Sequence, residues 1–290
     1  MSVCQASDIE VVPLAGALGA ELRGLDIAAG VTGPSFEVVD RAWSEHLVLV
    51  IRDQCLSDDD LLTFTRLFGE LDPPGPNPYG APFLEDYPDI NVISNIVEDG
   101  RAKGGLGSGE AVWHADMTYV DHPPKGAVLY ALEIPARGGN TYFANMFAAY
   151  DALAEALKAR IDGRKAIHDA SHNSAGFLRK GYEEVEDVRH TRGAHHPLVR
   201  TEPVSGRQCL FLGRRPRSYV LGSSVSESES LLEQLWEHAT REQFTVCHEW
   251  RTGDVLMWKN LAVLHRRDGF DPDSRRLLHR TQIKGDETIA

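Results

Sequence analysis

The chain has 290 residues, 42% hydrophobic and 25% charged, with 30 Lys and Arg against 43 Asp and Glu for a net charge of −13. That acidic balance argues against nucleic acid or an anionic membrane as a partner, and no apolar run approaches the roughly 18 residues of a membrane span. The N-terminus lacks a basic segment followed by an apolar one, so a cytoplasmic location is expected; Cys4, Cys55, Cys209 and Cys247 have no paired spacing and are expected to be free thiols.

Segment 9–13 reads as an opening strand. A helix begins at Pro34, a residue tolerated in a first turn, and runs to about His46. Leu47 to Ile51 is a continuous apolar run that suits a buried strand. Ser57, followed by Asp58, Asp59 and Asp60, caps a helix whose apolar face is Leu61, Leu62, Phe64, Thr65 and Phe68. Residues 72–82, rich in Pro and Gly, form a loop, and 104–109 form a second, flexible one. Strands are expected at 126–132, 140–144, 165–169, 196–200 and 208–212, with helices at 146–161 and 226–241. Ser226 and Glu229 fit a capping box for the last of these. The final fifty residues read as strands at 244–250, 255–258, 262–265 and 276–284. No repeat or low-complexity linker divides the chain, so one domain over 1–290 is expected. Strands in the centre and at the end, with helices in front and inserted, favour an α+β chain built on a β-sandwich or jelly roll.

The chemistry concentrates in Trp113-His114-Ala115-Asp116 and in His265 far downstream. On a strand, residues i and i+2 share a face, so His114 and Asp116 would project together. A His-x-Asp pair and a distant His can supply a 2-His-1-carboxylate triad, which leaves coordination positions open and marks non-heme Fe(II) oxygenases. Arg276 and Arg280 share a face by the same parity, with Cα atoms about 13 Å apart at roughly 3.3 Å per residue. They suit bidentate recognition of a small dianion. The turn Asp271-Pro272-Asp273-Ser274 would set His265 and Arg276 on neighbouring strands. Taken singly these features are bland: an isolated His-x-Asp is common, and two arginines on a strand are usually a solvated face. Two other classes stay open, a catalytically silent jelly-roll binding protein and a zinc hydrolase using the same three residues with a metal-bound water.

Together the pieces resemble the taurine/2,4-dichlorophenoxyacetate dioxygenase (TauD/TfdA) family of Fe(II)/2-oxoglutarate-dependent enzymes. The matching segments are Trp113 to Tyr119, Gly138-Gly139-Asn140-Thr141, His196 to Thr201, Trp258-Lys259-Asn260, His265, and Arg275 to Arg280. The resemblance implies a double-stranded β-helix, or jelly roll, with helical insertions. It implies that His114, Asp116 and His265 bind Fe(2+), and that Arg276 and Thr141 hold the distal carboxylate of the cosubstrate 2-oxoglutarate. Trp258 would pack beside the metal, and Arg280 would lie near the keto-acid end, free to face the primary substrate. O2 would be the oxidant, with succinate and CO2 as coproducts. In related halogenases Ala or Gly stands at the carboxylate position; Asp116 therefore implies hydroxylation, or hydroxylation followed by collapse of the product, and not halogenation.

Departures from the taurine-type pattern lie at Asp72-Pro73-Pro74-Gly75, at Glu110 and at Gly213 to Tyr219, so taurine itself is not the expected substrate. A small organic acid is expected, with Asp72 and Glu110 as candidates for a further contact. Arg214, Arg215 and Arg217 either extend a positive pocket or form a solvated cluster. His168, His172, His195 and His196 are pocket-wall candidates or ordinary histidines. Residues 171–193 are a candidate lid. A homo-oligomer is expected, with no nucleic-acid or membrane partner.

Overall fold

The computed structural model describes residues 8–75 and 81–289; Cys4 and the middle of the 72–82 loop lie outside them. Two sheets make the core. The larger runs, in spatial order, through Glu10–Pro13, Ala20–Arg23, Val48–Ile51, Val255–Lys259, Gly126–Glu133, Leu277–Ile283, Asn91–Ser94 and Gly105–Leu106. The smaller runs Thr245–His248, Thr141–Asn145, Val263–Arg267 and Ala111–His114.

Strand alternation divides the apolar residues between two cores. Val48, Val50, Ala127, Leu129, Ala131, Leu256, Trp258 and Leu278 point inward, where they meet Phe143 and Val263 of the smaller sheet. The residues between them, Leu49, Ile51, Val128, Tyr130, Val255 and Met257, point outward beneath the helices Pro34–His46 and Asp58–Arg66. Ser57 and Asp60 form the capping box of the second helix. That helix is tied to the central strand by Thr65 Oγ1 to Thr281 Oγ1 at 2.7 Å and by Asp58 Oδ1 to His279 Nδ1 at 2.6 Å. Helix Pro34–His46 sits close because Gly126 has no side chain: a Cβ there would lie 2.5 Å from the Trp43 ring. Two packed sheets with helices on the outer face agree with the expected α+β class and are consistent with a jelly-roll core. Among the described residues no helix is long and apolar enough to cross a membrane.

Several local expectations are corrected. The stretch 146–161 is two helices, Met146–Asp151 and Glu155–Ile161. The capping box of Val225–Ala239 uses Ser224 and Glu227, two residues earlier than read. Strand 196–200 is broken into His195–Pro197 and Val199–Thr201, which join different small sheets. The 104–109 loop contributes Gly105–Leu106 to the sheet edge, parallel to Asn91–Ser94. Asn91–Ser94 and Ala20–Arg23 were not anticipated. His265 and Arg276 are not on adjacent strands: Val263–Arg267 belongs to the smaller sheet, while Arg276 leads into Leu277–Ile283 of the larger one. They face each other across the sandwich.

Candidate active site

His114, Asp116 and His265 converge, with one potential ligand atom from each lying within 4.8 Å of the others. His114 Nε2 is 3.7 Å from Asp116 Oδ1, and His265 Nε2 is 3.9 Å from Asp116 Oδ2. The histidines are cross-strand partners, His265 opposite His114, so the sheet register itself sets their rings 4.1 Å apart. His114 Nδ1 lies 2.8 Å from the Val112 carbonyl, a contact that directs Nε2 toward the cluster. Trp258 packs 5.0 Å from the His265 ring.

Asp116 corrects the parity argument. The strand ends at His114, and Asp116 sits in the turn beyond it. Its place is set by Asn260. The Asn260 side chain accepts from the Asp116 amide at 2.7 Å and donates to the Asp116 and Pro124 carbonyls at 2.9 and 2.8 Å. Ala115 N also bonds the Gly213 carbonyl at 3.1 Å. Sequence reading assigned Asn260 no role, since only the tertiary fold brings it to residue 116.

The electrostatics favour a metal-ready state. Burial holds His265 well below the usual imidazole range, aided by the neighbouring His114, and burial likewise lowers His114. Both rings are therefore neutral at physiological pH, as metal ligation requires. For Asp116, burial pushes upward, but Arg280 and the two imidazoles outweigh it and keep the carboxyl below its usual value. Arg280 is not free, contrary to expectation: its Nη1 lies 2.9 and 3.0 Å from the two Asp116 oxygens, while its Nε is buried without a partner.

Beneath the triad is a small chamber of about 50 Å³ lined by Thr141, Trp258, His265, Arg267, Arg276 and Arg280, among others. Arg276 precedes its strand and is 2% exposed. It keeps the inward face that Leu278 and Arg280 share. Its Nη2 donates to the Gly139 carbonyl at 3.3 Å, and its Nε has no partner. Gly138 and Gly139 have φ of 75° and 67°, which only glycine adopts readily, and a Cβ on Gly139 would lie 3.1 Å from Arg276 Nε. Thr141 Oγ1 accepts from Trp250 Nε1 at 2.9 Å. Burial, with Arg267 close by, pulls Arg276 down to about 9. Arg267, missed in the sequence although it lies two residues from His265 on the same strand, is itself 6% exposed. Among the described residues neither arginine has a carboxylate partner.

Above the triad opens a cavity of about 780 Å³. Four cations, Arg179, Lys180, Arg214 and Arg280, line it together with the rings of Phe83, Tyr119, Phe177 and Tyr182. The arginine cluster divides. Arg214 is buried in the wall and paired with Asp169, whereas Arg215 turns out to Glu229 and Glu233, and Arg217 pairs with Glu184. Of the candidate histidines only His172 lines the cavity, held by Asp169, Ser171 and Glu184. His168 and His196 are buried elsewhere, beside Phe211. Asp72 and Glu110 do not line it; Glu110 pairs with Arg266 at 3.5 Å. Nine residues between 172 and 182 line the cavity, so the first half of the 171–193 segment lies against it and the second half, 183–193, does not.

These residues fit the group their chemistry calls for. Two neutral imidazoles and a carboxylate suit a divalent iron, and unpartnered buried guanidinium nitrogens below them suit a dianion. The comparisons agree. The family model of the taurine catabolism dioxygenase TauD/TfdA matches residues 10–282. The 2,4-dichlorophenoxyacetate dioxygenase of Cupriavidus pinatubonensis is 34% identical over 284 residues, covering 96% of this chain and 98% of that one. A sulfate ester dioxygenase of Pseudomonas putida is 30% identical over 292 residues, covering 98% and 92%. The crystal structure of AAD-2 with Mn(II) and N-oxalylglycine superposes with a TM-score of 0.80 at 29% identity, covering 97% and 99%. The chain belongs to the TauD/TfdA family of dioxygenases.

Proposed function

We propose that this chain is an Fe(II)- and 2-oxoglutarate-dependent dioxygenase that hydroxylates a C–H bond of a small anionic organic substrate. The observation that carries the reading is the convergence of His114, Asp116 and His265 directly above a chamber of buried, unpaired arginine. His114, Asp116 and His265 would hold the iron, and Arg276 with Thr141 would take the distal carboxylate of the keto acid. When bound, iron and keto acid supply the oxidising chemistry: substrate, 2-oxoglutarate and O2 give hydroxylated substrate, succinate and CO2.

The protein's own part is positional. Arg280 holds the Asp116 carboxylate ionised and presents its remaining donors to the cavity. Arg179 and Lys180 give the cavity wall its positive charge, Arg214 being balanced by Asp169, and the rings of Tyr119 and Phe83 give it flat apolar surface. Phe177 and Leu178, 67% and 41% exposed, stand at the opening, where a bound substrate would bury them and exclude water. The relatives' named substrates, a phenoxyacetate and sulfate esters, are small anions. A zinc hydrolase would have no use for the arginine–threonine chamber, and a silent binding protein no need of the triad.

The test is Fe(II)-dependent succinate formation from 2-oxoglutarate with a panel of small acids, each beside its amide or neutral ester. Acids should stimulate turnover and their neutral counterparts should not. Equal stimulation by both would refute an anionic substrate, and succinate formation that persists without Fe(II) would refute the oxygenase.

A further inference from the structure

Arg267 is buried beside Arg276 in the lower chamber, and among the described residues no carboxylate pairs with either. The Arg267 Nε has no partner, and the Phe270 ring lies 5.5 Å from the Arg267 guanidinium and 5.8 Å from that of Arg276. Two unpaired buried cations are costly unless an anion joins them. The Arg267 Nη2 group also does a second thing: it donates to the backbone carbonyls of Leu106, at 3.3 Å, and Gly109. Leu106 lines both the lower chamber and the substrate cavity, and Gly104 and Gly105 line the latter. The wall is glycine-rich, and its only sheet partner among the described residues is Asn91–Ser94. A chamber of about 50 Å³ has room for a carboxylate head or a few waters.

We propose that Arg267 is a second recognition residue for the distal carboxylate of the keto acid, and that through it cosubstrate binding fixes the 104–109 wall of the substrate cavity. The inference rests on the 2-oxoglutarate reading above. Thr141 and Arg276 grip the carboxylate from one side. Arg267 meets it from the strand that carries His265 and holds the wall with its Nη2 group.

The experiment compares binding of 2-oxoglutarate with that of 2-oxobutyrate, a keto acid lacking the distal carboxylate. Titration calorimetry on anaerobic, Mn(II)-substituted protein gives the affinities, and hydrogen exchange follows the amides of 104–110. Wild type should bind 2-oxoglutarate more tightly and protect the wall on binding. Arg267→Gln removes the charge and the reach to the wall; it should weaken 2-oxoglutarate about ten- to a hundredfold, leave 2-oxobutyrate nearly unchanged and abolish the added protection. Arg267→Lys should show a smaller loss with the same selectivity, which keeps the test valid if the glutamine variant is poorly folded. An equal fall for both keto acids would make Arg267 a loop anchor alone and overturn the proposal. So would unchanged affinity for 2-oxoglutarate. Failure of wild type to bind 2-oxoglutarate would instead sink the dioxygenase reading itself.

Discussion

His114, Asp116 and His265 are held by three different devices: a strand end, an asparagine clamp and a cross-strand pairing. Replacing any of them by Ala should abolish succinate formation while circular dichroism stays native-like; wild-type turnover in one variant would remove that residue from the ligand set. Arg276→Ala should raise the 2-oxoglutarate requirement by roughly 2–5 kcal/mol of lost binding, as expected for truncating one member of a buried charge pair. Arg276→Lys should recover only part, because a point charge cannot reproduce the guanidinium fork. An unaltered apparent affinity in Arg276→Ala would contradict the assignment. The residue types were legible because triads of this kind need few letters in a fixed order. The partners were not. Asn260 acts through residue 116, which no local pattern marks; Arg267 shares a strand face with His265 by i,i+2 parity, but its contacts with residues 106 and 109 are equally unmarked. Arg280 was legible as a site residue but not as the partner of Asp116, which only the packing of the two sheets decides.

Patterning mattered more than length: four-residue strands such as Glu10–Pro13 and Val48–Ile51 were read correctly, while the long stretch 146–161 broke into two helices. Helix Asp58–Arg66 announced itself through Ser57, three acids and a continuous apolar face. Strand Val255–Lys259 did so through an apolar run buried on both sides. Gly105–Leu106 carries no such signal, because its neighbour in the sheet, not propensity, makes it a strand; Asn91–Ser94 was missed although it lies in the β-branched run Ile90 to Val97. The Asp116 turn escaped for a related reason: i,i+2 parity applies only while a strand continues, and this one stops at His114. The Gly138-Gly139 turn is the element that seats Arg276. Gly139→Ala should therefore strain the left-handed backbone and crowd Arg276 Nε, weakening 2-oxoglutarate binding with less effect on metal affinity. Equal loss of both would indicate a general folding defect. Asn260→Ala should leave the buried Asp116 amide unpaired, costing about 1–3 kcal/mol of stability and loosening the metal site. Thermal melts with and without Mn(II) would check this, and a Tm gain on adding metal equal to wild type would contradict the clamp.

Across the whole molecule, burial is what prepares the site, and it has a pH signature. His114, His168, His196, His248 and His265 all lie below the ordinary imidazole value, burial being the largest cause for each. The unfolded chain binds protons at these positions below about pH 6.5 and the folded chain does not. Stability should thus be steady above that pH and decline as pH falls below it. The depressed carboxyl of Asp116 adds its loss only lower, through the acid range. A Tm of the metal-free protein that rises on acidification from about pH 7.5 to 5.5 would contradict this sign. The fold class was legible because strand and helix order repeats a known family's arrangement; the cavity was not, because its wall is assembled from loops far apart in sequence. The central claim is that this triad holds iron and the keto acid together. An anaerobic titration of the protein with Fe(II) and 2-oxoglutarate tests it most directly, by the visible absorption that arises when a keto acid chelates bound iron. Wild type should develop that band at one equivalent of each, Arg276→Ala only at much higher keto acid, and His265→Ala not at all. A band of full strength in His265→Ala, or none in wild type, would contradict the account.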